Sequence, residues 1–199
     1  MTTKVFTATE RNGFSSRSGF TIVEVVIVLV LVGVIAGIAA PHIKPTRFQL
    51  KAASRELVTR MASAKHMAVL KGHDVILAFD QTNRRVRIHS DMDNDRQMDA
   101  NEDVRMYELP HDVAFGKGGA PAVGGFTQAL NLNQSQGGLP TLSFHRNGAT
   151  SQEVRFYITS RRAAIHGGFP EDARAVVVAR STGTISCQSY ASASWRDGC

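Results

Sequence analysis

From Phe20 to Pro41 the chain runs 22 residues with one charged side chain, Glu24. About 20 apolar residues span a bilayer as a helix. This stretch therefore belongs in lipid or in the dry centre of a helical assembly, and the rest of the fold must be built around that. A carboxylate at such depth costs roughly 2.5–3.5 kcal/mol on insertion scales, so it calls for a cationic partner. Lys4, Arg11 and Arg17 lie upstream. By the positive-inside rule they hold the amino terminus in the cytoplasm and send the carboxy-terminal part outward. A plain signal anchor explains the hydrophobicity but neither Gly19 nor Glu24. A cleavable secretory signal has a shorter apolar region and a small-residue cut site, and here that cut falls near Ala40 with Pro41 next to it.

Ser18-Gly19-Phe20-Thr21-Ile22-Val23-Glu24, with Gly33 inside the span and Pro41 near its end, resembles the processing site of type IV pilins and type II secretion pseudopilins. The resemblance implies a prepilin peptidase that cuts between Gly19 and Phe20 and methylates the new amino group of Phe20. Residues 1–19 are then a leader. The charges agree with the physics of assembly. Cleavage creates an ammonium at Phe20, and Glu24 of a neighbouring subunit neutralises it as the helices slide into register. Two charges that are costly alone become tolerable as a pair in a dry bundle. The net charge of +6 includes three cations and one anion of the leader, which leaves the mature chain mildly basic.

Pro41 and Pro45 each remove a backbone donor, so a helix over residues 20–46 is expected to break at about 40–46. From Phe48 onward, Leu50, Ala53, Leu57, Met61, Ala64 and Ala68 recur at three- and four-residue steps. That spacing predicts an amphipathic helix over 47–72, stopped by Gly72. Downstream the period falls to two. Strands are expected at 74–80, 85–90, 104–109, 141–145, 154–159, 173–179 and 184–189, with a long exposed loop at 116–138 rich in Gly, Ala, Asn and Gln. The expected fold is α+β and pilin-like. The first half of a long amino-terminal helix spans the membrane, and the second half packs on an antiparallel β-rich part (73–199) of a periplasmic globular domain, residues 47–199.

Three later segments narrow the resemblance to the H-type pseudopilin and FimT-FimU-type minor pilin branch: the acidic turn after the second strand, Leu142–Gly148, and Ala175–Gly183. Thr184, Ile185 and Ser186 depart from it, since basic residues often follow that last glycine. In the acidic turn, Asp91, Asp93, Asp95, Gln97, Asp99 and Glu102 stand at the ligand positions of a calcium loop. Arg96 occupies the place where such a loop needs glycine. A calcium site and a solvated acidic hairpin tip both fit these residues.

An exported domain sits in an oxidising compartment, and the two cysteines, Cys187 and Cys199, are expected to form a disulfide that staples the carboxy-terminal tail. No catalytic constellation stands out: the seven histidines are scattered and no phosphate-binding glycine loop follows a strand. No organic cofactor is expected. Three function classes remain: a minor pilin that primes or joins a type IV pilus, an H-type minor pseudopilin of type II secretion, and a DNA-binding tip pilin using Arg155, Arg161, Arg162, Arg174 and Arg180. The resemblance implies a single-pass protein of the bacterial inner membrane that moves into a filament or its tip. Its partners would be other major and minor pilins or pseudopilins, the prepilin peptidase, the inner-membrane assembly platform and membrane lipid.

Overall fold

A computed structural model describes residues 19–39 and 45–199. The chain divides into two compact units, with the boundary between Ile43 and Lys44. The first unit holds α1, Ile22–Ala39. Its described side chains are exposed from Ile22 to Gly37. Among the described residues no helix is long and apolar enough to cross a membrane. The apolar stretch continues to Pro41, which lies outside the described residues, as does the helix break expected there.

The second unit opens with α2, Pro45–Lys71. Pro45 is its first residue, a position where a missing N–H costs a helix nothing. The helix stops where the Gly72 N–H donates to the Ala68 carbonyl at 3.0 Å. Gly72 takes φ +74°, the left-handed conformation that glycine adopts without a Cβ penalty. Leu50, Ala53, Leu57, Met61, Ala64 and Ala68 are at most 1% exposed, so the periodic face is the buried one. Each of its large side chains contributes roughly 1.5–3 kcal/mol by leaving water.

Ten strands follow, in two five-stranded antiparallel sheets. The first has the order β3-β2-β1-β6-β5, with β1 Asp74–Asp80, β2 Arg85–Asp91, β3 Val104–Glu108, β5 Gln134–Gln136 and β6 Leu139–Phe144. The second runs β10-β9-β8-β7-β4, with β4 Val113–Phe115, β7 Val154–Ser160, β8 Arg174–Val178, β9 Ile185–Ala191 and β10 Ser194–Asp197. A short helix α3, Arg161–His166, and a 3-10 turn, Pro170–Asp172, link β7 to β8. α2 packs against strands of both sheets. Val75, Leu77 and Phe79 of β1 share one core with Phe156 and Ile158 of β7 and Val176 of β8. Phe79 joins the sheets, its ring 5.2 Å from Phe156 and 6.0 Å from Phe115.

The 116–138 segment departs from the exposed loop expected of it. Ala120 and Leu130 are buried, and Gln134–Gln136 is a strand. Its anchor is Tyr157, fully buried on β7. The Tyr157 hydroxyl donates to the Phe126 carbonyl at 2.8 Å and accepts the Val123 N–H at 2.7 Å. Trp195 Nε1 donates to the Pro121 carbonyl at 3.1 Å. The Tyr157 N–H donates to the Ala129 carbonyl at 2.9 Å and Leu130 bridges to Phe156, so a composition that reads as a loop is bonded to β7.

Candidate functional site

Two places concentrate the residues singled out by sequence: the start of α1 and the loops at the ends of the sheets. At the start of α1, Gly19, Phe20 and Thr21 precede the helix. The Thr21 carbonyl accepts the Val25 N–H at 3.2 Å, and Thr21 Oγ1 accepts the Glu24 N–H at 3.2 Å. Thr21 is therefore the N-cap, and Glu24 falls in the first turn. There the positive end of the helix dipole favours an anion. Phe20, Glu24, Val25, Val28 and Leu29 line a shallow apolar concavity of about 250 Å³.

The acidic turn is only partly the ligand set expected of it. One carboxylate oxygen each of Asp91, Asp93 and Asp95 lies within 4.8 Å of the others. These carboxylates are engaged by the turn's own backbone. The Arg96 N–H donates to Asp91 at 3.2 Å, Asp95 N–H to Asp93 at 3.1 Å and Gln97 N–H to Asp95 at 2.6 Å. Arg96 meets the turn by adopting φ +66°, the conformation for which a calcium loop uses glycine. Asp99 and Glu102 stand outside the cluster. Glu102 turns away because it is the acceptor for a buried histidine, its Oε2 2.5 Å from His89 Nε2. It also accepts the Met92 N–H at 2.7 Å and the Asp99 N–H at 3.0 Å.

A hydrogen-bond network surrounds this pair. Arg87 donates to Gln136 Oε1 at 3.0 Å, so Gln136 Nε2 points at His89 Nδ1, 3.3 Å away. In that arrangement Nε2 carries a proton and donates it to the Glu102 carboxylate. Burial pushes the Glu102 carboxyl up, but the Asp99 N–H, the His89 ring and the Met92 N–H outweigh it and hold it below its ordinary value. Asp91, fully buried, is pushed the other way by desolvation, despite the opposing Arg96 N–H. Nothing local in the sequence marks His89. Its role depends on a carboxylate 13 residues away and on β5.

Two of the motif segments converge in space. The Lys65 ammonium of α2 donates to the Thr182 carbonyl at 2.7 Å. A Cβ at Gly183 would collide with the Gly148 carbonyl oxygen, and Gly183 has φ +58°. The two turns thus abut through backbone, which ties the Leu142–Gly148 and Ala175–Gly183 segments to α2.

The five arginines meet different partners. Arg155 pairs with Glu153 at 3.2 Å and lies over the Phe126 ring. Arg161 meets His111. Arg162 pairs with Asp172 at 2.9 Å. Arg174 donates to the Glu171 and Ala173 carbonyls, and burial pulls its pKa down. Arg180 lines a separate concavity with Arg155 and His145. Four of the five thus have partners within the unit, and nothing in this arrangement favours DNA binding. The Cys187–Cys199 disulfide is formed, with the Cα atoms 5.6 Å apart. It closes the β9–β10 hairpin, where the Gly198 N–H donates to the Cys187 carbonyl at 2.8 Å. The Arg55 guanidinium of α2 donates to the Cys199 carbonyl at 3.1 Å.

Known proteins are similar in two regions. A family described as a prokaryotic N-terminal methylation motif matches residues 14–40. A family described as type II transport protein GspH matches residues 53–183. No curated protein matches the chain. Among solved structures, the minor pseudopilin EpsH from the type 2 secretion system of Vibrio cholerae has a TM-score of 0.49 at 14% identity. It covers 71% of this chain and 97% of that one. The type IV minor pilin FimU of Pseudomonas aeruginosa has a TM-score of 0.46 at 15% identity, covering 77% of this chain and 96% of that one. With about two-thirds of its length inside the second family match, the chain belongs to the type II transport protein GspH family of pilin-like subunits.

Proposed function

We propose that the chain is a minor pilin, a structural and non-catalytic subunit that primes or joins a type IV pilus. The first helix anchors it in the bacterial inner membrane, and its β-rich unit lies in the periplasm until assembly. The observation that carries this reading is the placement of Glu24. It is the one ionisable group of α1, it sits one turn from the amino end of an apolar helix with exposed side chains, and it follows the non-helical Gly19 and Phe20. A peptidase cut at Gly19 supplies the ammonium that Glu24 lacks, and the pair sets the register between neighbouring subunits. The partners are other major and minor pilins, the prepilin peptidase, the assembly platform and membrane lipid. The family description favours a second reading, a minor pseudopilin of a type II secretion system, in which each residue keeps its role.

Mass spectrometry of the chain recovered from membranes is expected to show a methylated Phe20 as the first residue. An intact Met1, or a start at Pro41, overturns the reading. Recovery of the chain in sheared pili, compared with recovery after deletion of the secretion system, separates the two assemblies.

A further inference from the structure

We propose that Thr21 is a positioning residue for amino-terminal processing: its side chain starts α1 at Ile22 and so keeps the Gly19–Phe20 peptide bond outside the helix, within reach of a peptidase. The proposal rests on the processing reading above. Hydrolysis adds water across that bond and leaves a carboxylate on Gly19 and an ammonium on Phe20. The attacking water needs the Gly19 carbonyl carbon. In a helix carried back to Gly19, the carbonyl oxygen would accept the N–H four residues on, that of Val23, and the carbon would be walled in by the first turn. An apolar helix in a dry surrounding tends to propagate, because every unpaired N–H and C=O there is costly. Something must stop it at a defined residue.

The geometry supplies that stop. The Thr21 carbonyl is the first engaged, by Val25 at 3.2 Å. The Glu24 N–H, which a longer helix would send to Phe20, instead meets Thr21 Oγ1 at 3.2 Å. Thr21-Ile22-Val23-Glu24 has the spacing of a capping box, with the acidic residue at the third helical position. Phe20 stands 82% exposed, and nothing lies within 4 Å of where a Cβ of Gly19 would be. Among the described residues nothing crowds the Gly19–Phe20 bond.

The test uses the full-length precursor in cells carrying a prepilin peptidase, with pulse-chase processing rates and membrane fractionation as separate readouts. Thr21→Ser keeps the hydroxyl cap and is expected to be cut at the wild-type rate. Thr21→Ala is expected to insert normally and to be cut about fivefold more slowly, the equivalent of losing a cap worth about 1 kcal/mol. The double variant Thr21→Ala/Ile22→Pro restores the helix start by another route. Proline is favoured at the first helical position and disfavours helix for the residue before it, so its rate is expected to return to within about twofold of wild type. Wild-type processing of Thr21→Ala overturns the proposal alone. So does a slow Thr21→Ala that proline leaves slow, since that outcome means the hydroxyl is read directly. A wild-type chain left uncut at Gly19–Phe20 overturns the processing reading and the proposal with it.

Discussion

Asp172 is the residue whose loss should disturb the β-rich unit most for the fewest atoms removed. It is 1% exposed, and one of its oxygens accepts three donors: Ser160 Oγ at 2.6 Å and Arg162 Nε and Nη2 at 3.0 and 2.9 Å. Arg47, in the first turn of α2, approaches the other oxygen at 3.8 Å. Ser160 is itself the N-cap of α3, its Oγ accepting the Ala163 N–H at 3.3 Å. One carboxylate therefore joins α2, α3 and the end of β7. Asp172→Ala leaves the fully buried Ser160 hydroxyl without its acceptor, at about 1–3 kcal/mol, and removes charge-assisted bonds worth about 1.5–3 kcal/mol when well shielded. Arg47 and Arg162 are nearly half exposed, so water takes over much of their share. The net loss should be about 3 kcal/mol. For a unit of this size that is about 6–12 °C in melting temperature. Asp172→Asn keeps the volume and an acceptor for Ser160, and should lose about half as much. Urea and thermal melts of residues 45–199 measure both. An alanine variant within about 0.5 kcal/mol of wild type would refute the reasoning, because it would mean that Ser160 finds another partner at no cost.

Glu24→Val is expected to insert in membranes at least as well as wild type yet to be depleted from sheared filaments; equal incorporation would sink the register pairing. Gly183→Ala should destabilise the unit by more than the roughly 1 kcal/mol usual for a residue forced left-handed, because its Cβ also meets the Gly148 carbonyl; a neutral melt would show that the two turns can separate. Melting temperatures in millimolar calcium and in chelator should coincide, since Glu102 is held by His89 and two N–H groups. A calcium-dependent rise of several degrees would mean that Glu102 leaves His89 for the ion. Glu102→Gln should be destabilising at pH 7, and the penalty should shrink on acidification. The folded-state pKa of Glu102 is lowered from 4.5, so its stabilisation is present above that value and is lost as pH falls through the folded value. Asp91 has the opposite sign: raised from 3.8, it favours the fold below that value and loses the contribution as pH climbs through its folded pKa.

What was legible in the sequence is what repeats or stands close together. The α2 face was readable because six residues at helical spacing all meet the same core, and β1 was readable because alternation marks a strand with one face on that core. The helix was expected from residue 20, whereas α1 begins at Ile22; the Thr-x-x-Glu spacing that makes Thr21 a cap lay inside a motif noted for other reasons. What stayed hidden depends on partners far along the chain. β4 and β5 are three residues each, too short to show a period, and they exist because β7 and β6 offer free edges. α3 is six residues held by one Ser160 cap and the Asp172 contact, with no periodic face to detect. The partners of the arginines were hidden too, because nothing in the sequence shows that Arg155 meets Glu153 or that Arg162 meets Asp172.

At the acidic turn a cation and the protein's own groups would compete for one carboxylate. A carboxylate at the last position of a calcium loop is useful to an ion only if it is otherwise uncommitted. Here the strand before the turn places His89 at zero exposure, with its only anionic partner on the strand-ward end of the turn. Releasing Glu102 would leave the buried His89 Nε2–H unpaired, a loss of about 1–3 kcal/mol, while the exposed Met92 and Asp99 N–H groups could turn to water. An ion would have to repay all of that before gaining any net affinity. The same three bonds tie Glu102 to His89 and to both ends of the turn. The charge of the turn is accordingly spent on its own backbone, with Asp91, Asp93 and Asp95 each accepting an N–H from two or five residues ahead. The tip still gathers Asp91, Asp93 and Asp95 within 4.8 Å of one another, so the melts in calcium and chelator decide between a site and a solvated turn.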